Sequence, residues 1–199
     1  IGSFDALERN VIAGNLGDGI LITGPATFPN YVNNNAIGAN LTGTLDLGNA
    51  GNGITVTDGA KNVQVAQNVI AFNDGDGVRL TSTAGAGVQM TSNSFFSNGR
   101  LGINLVSATD NAAGVTPNDR LDADSGPNNL NNAPVITKVV GGAGPTTISY
   151  KIHGTPNTFF LIQLFSGEFN SGRPGARGRR AAGLLIFLAI ASRSFARGH

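Results

Sequence analysis

Short apolar stretches recur along roughly the first half of the chain, each a few positions long and each set off by Asn and Gly. In Ile20-Leu-Ile22, Ile54-Thr-Val56, Val78-Arg-Leu80 and Ile103-Asn-Leu105 the outer positions are apolar and the middle one is mostly polar. That is the period of two expected of a strand with one face buried. Aligning the stretches gives columns of one character: Leu7, Val32, Val65, Met90, then Ile12, Ile37, Ile70, Phe95, then Ile20, Ile54, Val78, Ile103, then Ile22, Val56, Leu80, Leu105. Each repeat supplies about three short strands and three corners. No single repeat can bury its own apolar residues, so stacking neighbours must make the core.

The polar positions are equally regular. Two Asn stand five apart in every copy: 10 and 15, 35 and 40, 68 and 73, 93 and 98. In three copies a Gly that opens the next strand (Gly19, Gly77, Gly102) follows four residues after the second Asn. In the second copy that gap grows by nine residues, read as a corner loop over Leu41–Asn49. With the loop set aside the period is 24 or 25 residues. Chains stacked at the inter-strand spacing of roughly 4.8 Å place like on like. The Asn columns are therefore expected to form side-chain ladders at the corners. The expected fold is all-β: a right-handed parallel β-helix of at least four coils over residues 1–108.

Composition narrows the alternatives. Charged residues are 13 % of the chain and Gly numbers 29 of 199, which argues against a helical bundle. There is no Cys, so disulfides and thiolate metal sites are excluded. The net charge of +1 hides an asymmetry: residues 1–166 carry a net of −4 and residues 167–199 a net of +5. Ile1 and Gly2 sit as if in mid-coil, which leads to the expectation of further coils upstream.

These residues carry a resemblance. The runs Arg9–Asn15 with Gly17–Ile20, Ala39–Thr44 leading to Leu47–Gly53, and Gly114–Asp119 running into Asp122–Asn128 resemble the bacterial right-handed parallel β-helix repeat proteins. That family is related in fold to pectate lyases and other polysaccharide-modifying enzymes. The resemblance covers roughly residues 1–166 and belongs to the repeat, not to a catalytic subgroup. It implies a secreted or cell-surface protein that faces carbohydrate.

Beyond the repeat, 109–132 reads as an Asp/Asn-rich cap or linker. Asp119, Asp122, Asp124 and Asn128 alternate with small residues around Gly126 and Pro127, as in part of a calcium loop, since Ca²⁺ takes several oxygen ligands. No closing Glu follows, so an EF-hand is not indicated, and an Asx-rich cap bonding its own backbone accounts for the same residues. Residues 133–166 read as the opening strands of a truncated antiparallel β-sandwich, Val135–Val140, the alternation around Ile148, Tyr150 and Ile152, and Phe159–Phe165. His153 falls on its polar face. The stretch 167–199 pairs Arg residues with an apolar run, Ala181–Ala191, too short to cross a membrane. It reads as an irregular tail foreign to the rest of the chain, with no nucleic-acid partner assigned to it.

Catalytic candidates are sparse. Asp18 and Asp76 hold equivalent positions two coils apart, roughly 10 Å, near the upper end of the range for an inverting carboxylate pair. Both lie in Gly-Asp-Gly, where turn geometry alone favours Asp, and no basic column runs beside them. Three functions remain: a non-catalytic scaffold or adhesin-like module contacting polysaccharide or surface glycan, part of a polysaccharide lyase or hydrolase, or a structural stalk.

Overall fold

The computed structural model describes residues 1–141, 145–156, 159–163 and 190–193. Eleven short strands carry the first part: β1 (Val11–Ile12), β2 (Ile20–Thr23), β3 (Asn30–Asn33), β4 (Ala36–Ile37), β5 (Ile54–Thr57), β6 (Val63–Ala66), β7 (Val69–Ala71), β8 (Val78–Leu80), β9 (Gln89–Thr91), β10 (Ser94–Phe96) and β11 (Ile103–Leu105). The chain deals them in rotation to three parallel sheets, ordered β1-β4-β7-β10, β2-β5-β8-β11 and β3-β6-β9. Every pairing within these sheets is parallel and joins equivalent positions of successive repeats. The architecture is all-β with stacked parallel sheets, compatible with a solenoid.

Register follows from the alternation, because a slip by one residue would turn every apolar side chain outward. Ile12 lies on Ile37, Ile37 on Ile70 and Ile70 on Phe95. Ile20, Ile54, Val78 and Ile103 stack likewise, as do Ile22, Val56, Leu80 and Leu105. Val32, Val65 and Met90 form the row of the third sheet. Together they make one continuous core in which Ile37, Ile54, Ile70, Val65 and Leu80 are fully buried. Burying each such side chain contributes about 1.5–3 kcal/mol.

The glycines that open β2, β5 and β8 have a packing reason. A Cβ on Gly53 would come within 2.6 Å of the Gly77 carbonyl oxygen, and one on Gly77 within 2.6 Å of that of Gly102. Successive backbones approach too closely there for any side chain.

Two expectations are corrected. Leu7 does not stack on Val32. It lies 93 % exposed in a 3-10 turn, Ala6–Glu8, capped by the Asp5 side chain. The place beneath β3 is taken by Ile1, whose carbonyl accepts from Asn33 N–H while its amino group donates to the Tyr31 carbonyl. The second correction concerns the corner insertion: Asn49, not Asn40, occupies the ladder, so the inserted residues are 39–47. Asn40 instead closes the loop internally, its Oδ1 accepting from Thr44 and Leu45 N–H. Equal Asn spacing hid this, because a five-residue interval ends on Asn either way.

Strands β12 (Val135–Val140) and β13 (Thr147–Lys151) form an antiparallel pair, and the third strand does not join them. That strand, β14 (Phe159–Ile162), pairs instead with β15 (Ile190–Arg193). Of the tail 167–199 only β15 is described, and the remainder lies outside the described residues.

Candidate functional site

Three polar columns run along the corners, and two match the expected Asn ladders in form. In the first, Asn10, Asn35 and Asn68 each donate from Nδ2 to Oδ1 of the next Asn, at 2.8, 3.0 and 2.9 Å, ending on Asn93. The second runs from Asn15 through Asn49 and Asn73 to Asn98, at 2.7, 2.7 and 2.9 Å. Each receiving oxygen in the first column also accepts a backbone N–H from the pass below. Buried amides are thereby satisfied, as a dry corner requires. Nearly every ladder Asn follows a residue in the left-handed region: Asn34, Gln67 and Ser92 precede 35, 68 and 93, and Gly14, Phe72 and Ser97 precede 15, 73 and 98.

The third column contains Asp18 and Asp76, with Asn52 between them. Asp18 Oδ1 accepts from the Asn52 backbone N–H at 2.6 Å and from its Nδ2 at 3.1 Å, while Asn52 Oδ1 accepts from Asp76 N–H at 2.8 Å. The Asp76 carboxylate is buried, with Oδ1 accepting from Leu101 N–H. Its Oδ2 accepts from Arg79 at 2.9 Å and from Asn104 Nδ2 at 2.8 Å. The bridging Asn52 and the partner Arg79 are in the sequence, but only register shows that they close on these carboxylates.

The cap residues divide. Asp119, Asp122 and Asp124 bring one carboxylate oxygen each within 4.8 Å of one another, a group that could hold a metal ion. Asn132 organises two of them: its N–H donates to Asp122 Oδ1 at 2.7 Å and its Nδ2 to Asp119 Oδ1 at 3.2 Å. Burial pushes the Asp122 carboxyl above the ordinary range, opposed by the Asn132 N–H and reinforced by the negative charge of Asp119. Burial also raises Asp124, with Asp119 and then Asp122 adding to it, and its Oδ1 is buried without a hydrogen-bond partner. Asn128 is elsewhere. Its Oδ1 accepts from Val88 N–H and its Nδ2 donates to the Val88 carbonyl, both at 2.9 Å, so it stands in for a strand on that edge. Sequence reasoning did not single out Asn132, although the run of Asn at 128–132 was its signal.

A further row lies on the outer face of the β3-β6-β9 sheet. Tyr31, Gln64 and Gln89 are in register, with Tyr31 exposed and the two Gln half-buried. At the adjoining corner exposed Phe28 lies under the Lys61 ammonium, 5.1 Å from the ring centre. The insertion occupies another face: a Cβ on Gly43 would stand 3.2 Å from Val69 Cγ1, so the loop lies over the outside of β7.

Comparison with family models, with curated proteins and with solved structures returned no match for this chain. No helix among the described residues is long and apolar enough to cross a membrane.

Proposed function

We propose that the chain is a right-handed parallel β-helix serving as a secreted or cell-surface scaffold that binds carbohydrate without catalysing a reaction on it. The observation that carries this reading is the in-register row Tyr31, Gln64 and Gln89 on an exposed sheet face. An exposed Tyr offers an apolar ring face and a hydroxyl. Carboxamides offer both donors and acceptors to sugar hydroxyls. The row repeats at the strand spacing, which suits an extended chain of like units. In this reading Asp18 and Asp76 are corner members whose oxygens already take N–H partners, not an acid and a base. The cap carboxylates Asp119, Asp122 and Asp124 hold Ca²⁺, a cation that favours several carboxylate oxygens.

The test is binding of the whole chain to an array of immobilised neutral and acidic polysaccharides. Tyr31→Ala, at a 52 % exposed position, is expected to weaken retention at least tenfold with the melting temperature unchanged. Retention of no polysaccharide, or equal retention by the variant, removes the proposal.

A further inference from the structure

The β3-β6-β9 sheet ends on β9. In a parallel strand successive peptide groups face opposite edges. Thr91 faces β6, its carbonyl accepting from Gln67 N–H, so Met90 and Ser92 face the free edge. Side chains close that edge. Val88 gives both its N–H and its carbonyl to the Asn128 carboxamide, at 2.9 Å each. Further along, Gln163 Nε2 donates to the Met90 carbonyl at 2.7 Å, and its Oε1 accepts from Ser92 N–H at 2.8 Å.

A residue of a neighbouring parallel strand would bond in the same way, donating to one carbonyl and accepting from the N–H two positions on. Ile1 does so with its main chain at the opposite end of this sheet. It donates to the Tyr31 carbonyl at 2.6 Å and accepts from Asn33 N–H at 3.0 Å. The Gln163 carboxamide repeats that contact at β9 without adding a strand. With a carbonyl on one side and an N–H on the other, only one orientation of the amide satisfies both.

Nothing in the strand itself resists pairing. Natural sheet edges are protected by charge, Pro, a bulge or a covering segment. Val88-Gln-Met-Thr-Ser92 carries neither charge nor Pro, and its register with β6 is unbroken from Gln89 to Thr91. Left bare, the Met90 carbonyl and Ser92 N–H match the same two groups of an identical edge running antiparallel about a two-fold axis.

We infer that Gln163 is a strap over the β9 edge, and that opening it exposes a pairing surface for the β9 edge of a second copy of this chain. Asn128 closes the start of the edge from the cap, and Gln163, directly after β14, closes the rest. The inference is independent of the polysaccharide reading, which concerns the outer face of the sheet and not its edge.

Hydrogen exchange on the whole chain tests the strap. Protection of the Ser92 amide is expected to fall at least tenfold in Gln163→Leu, while that of Val88, held by Asn128, is unchanged. Gln163→Glu is expected to show the same loss at neutral pH and to regain protection near pH 4, where a protonated carboxyl again donates to the Met90 carbonyl. Sedimentation equilibrium tests the surface. Gln163→Leu is expected to self-associate at least tenfold more tightly than the parent chain, and adding Thr91→Lys, which sets a charge on the edge, is expected to reverse this. Parent-like protection of Ser92 in both variants overturns the strap. A Gln163→Leu chain no more associated than the parent, or association that survives Thr91→Lys, overturns the pairing surface. If Gln163→Leu does not unfold cooperatively, Gln163→Ala provides the same comparison.

Discussion

Gln67 sits at φ 58° immediately before a ladder Asn, and it is exposed. A non-glycine residue in the left-handed region costs roughly 1–2 kcal/mol, and Gly there returns about 0.5–1 kcal/mol of that through a freer unfolded chain. Gln67→Gly is therefore expected to stabilise the protein by up to about 1 kcal/mol in denaturant unfolding, and a loss of stability would refute the corner geometry. Phe72 adopts the same conformation for a different return, its ring lying edge-on to Phe96 at 5.4 Å. The ladder residues themselves are unequal. Asn68 Nδ2 donates to the Val32 and Ala66 carbonyls as well as to Asn93, and its Oδ1 accepts twice from Asn35. Asn93 Nδ2 donates to the Val65 carbonyl and its Oδ1 accepts twice from Asn68. Stranding buried partners costs about 1–3 kcal/mol each, so Asn68→Ala is expected to destabilise by roughly 3 kcal/mol or more and Asn93→Ala by clearly less. Equal costs in paired unfolding curves would deny the ladder its role.

Elements with a strict period were legible before any coordinates. The columns of Ile12, Ile20 and Ile22 appear in the structure with the expected partners, because alternate burial leaves one workable register. Legibility failed where the period failed. Leu7 has the right character and spacing, but Ile1 already occupies the place below β3. Asn40 and Asn49 are the same residue type at the two ends of an insertion, so spacing could not choose between them. Hydrogen bonding chose: Gly38 and Leu47 meet through a 3.1 Å bond, which brings the loop ends together. Excising 39–47 should therefore leave the parallel sheets intact and change stability by no more than about 1–2 kcal/mol, since loop closure varies slowly with length. Loss of the β signal in circular dichroism would contradict that expectation. Among the candidate sites, the acidic trio was legible as a composition. Its Asn132 support and the diversion of Asn128 to Val88 were not, because both depend on how the cap folds back over β9.

At the scale of the whole molecule, the cap carboxylates tie stability to pH and, on the proposed reading, to calcium. Asp122 and Asp124 have folded-state pKa values above their ordinary value of 3.8, with burial the leading cause. For an acid shifted this way the folded form holds the proton more tightly than the unfolded form. The favourable contribution is complete below pH 3.8 and is lost as pH rises through the folded-state values. A cation at the trio opposes that loss. Calcium is thus expected to raise the melting temperature at neutral pH and to have little effect near pH 4, with EDTA reversing the gain. A calcium effect equal at both pH values would exclude the trio as its seat. Asp119→Asn and Asp124→Asn together should abolish the neutral-pH effect without disturbing the Asn68 ladder, which lies on other elements.

The carboxamides that connect successive passes all point the same way. In both Asn columns the amino end of one side chain meets the oxygen of the next, from Asn10 to Asn93 and from Asn15 to Asn98. A single reversed amide would set two amino groups, or two oxygens, against each other. Orientation is therefore a collective property of a column, and its dipoles add along the stacking axis and polarise one another. The two surfaces at the column's ends are chemically opposite, so two identical molecules could not continue it by meeting at the same end.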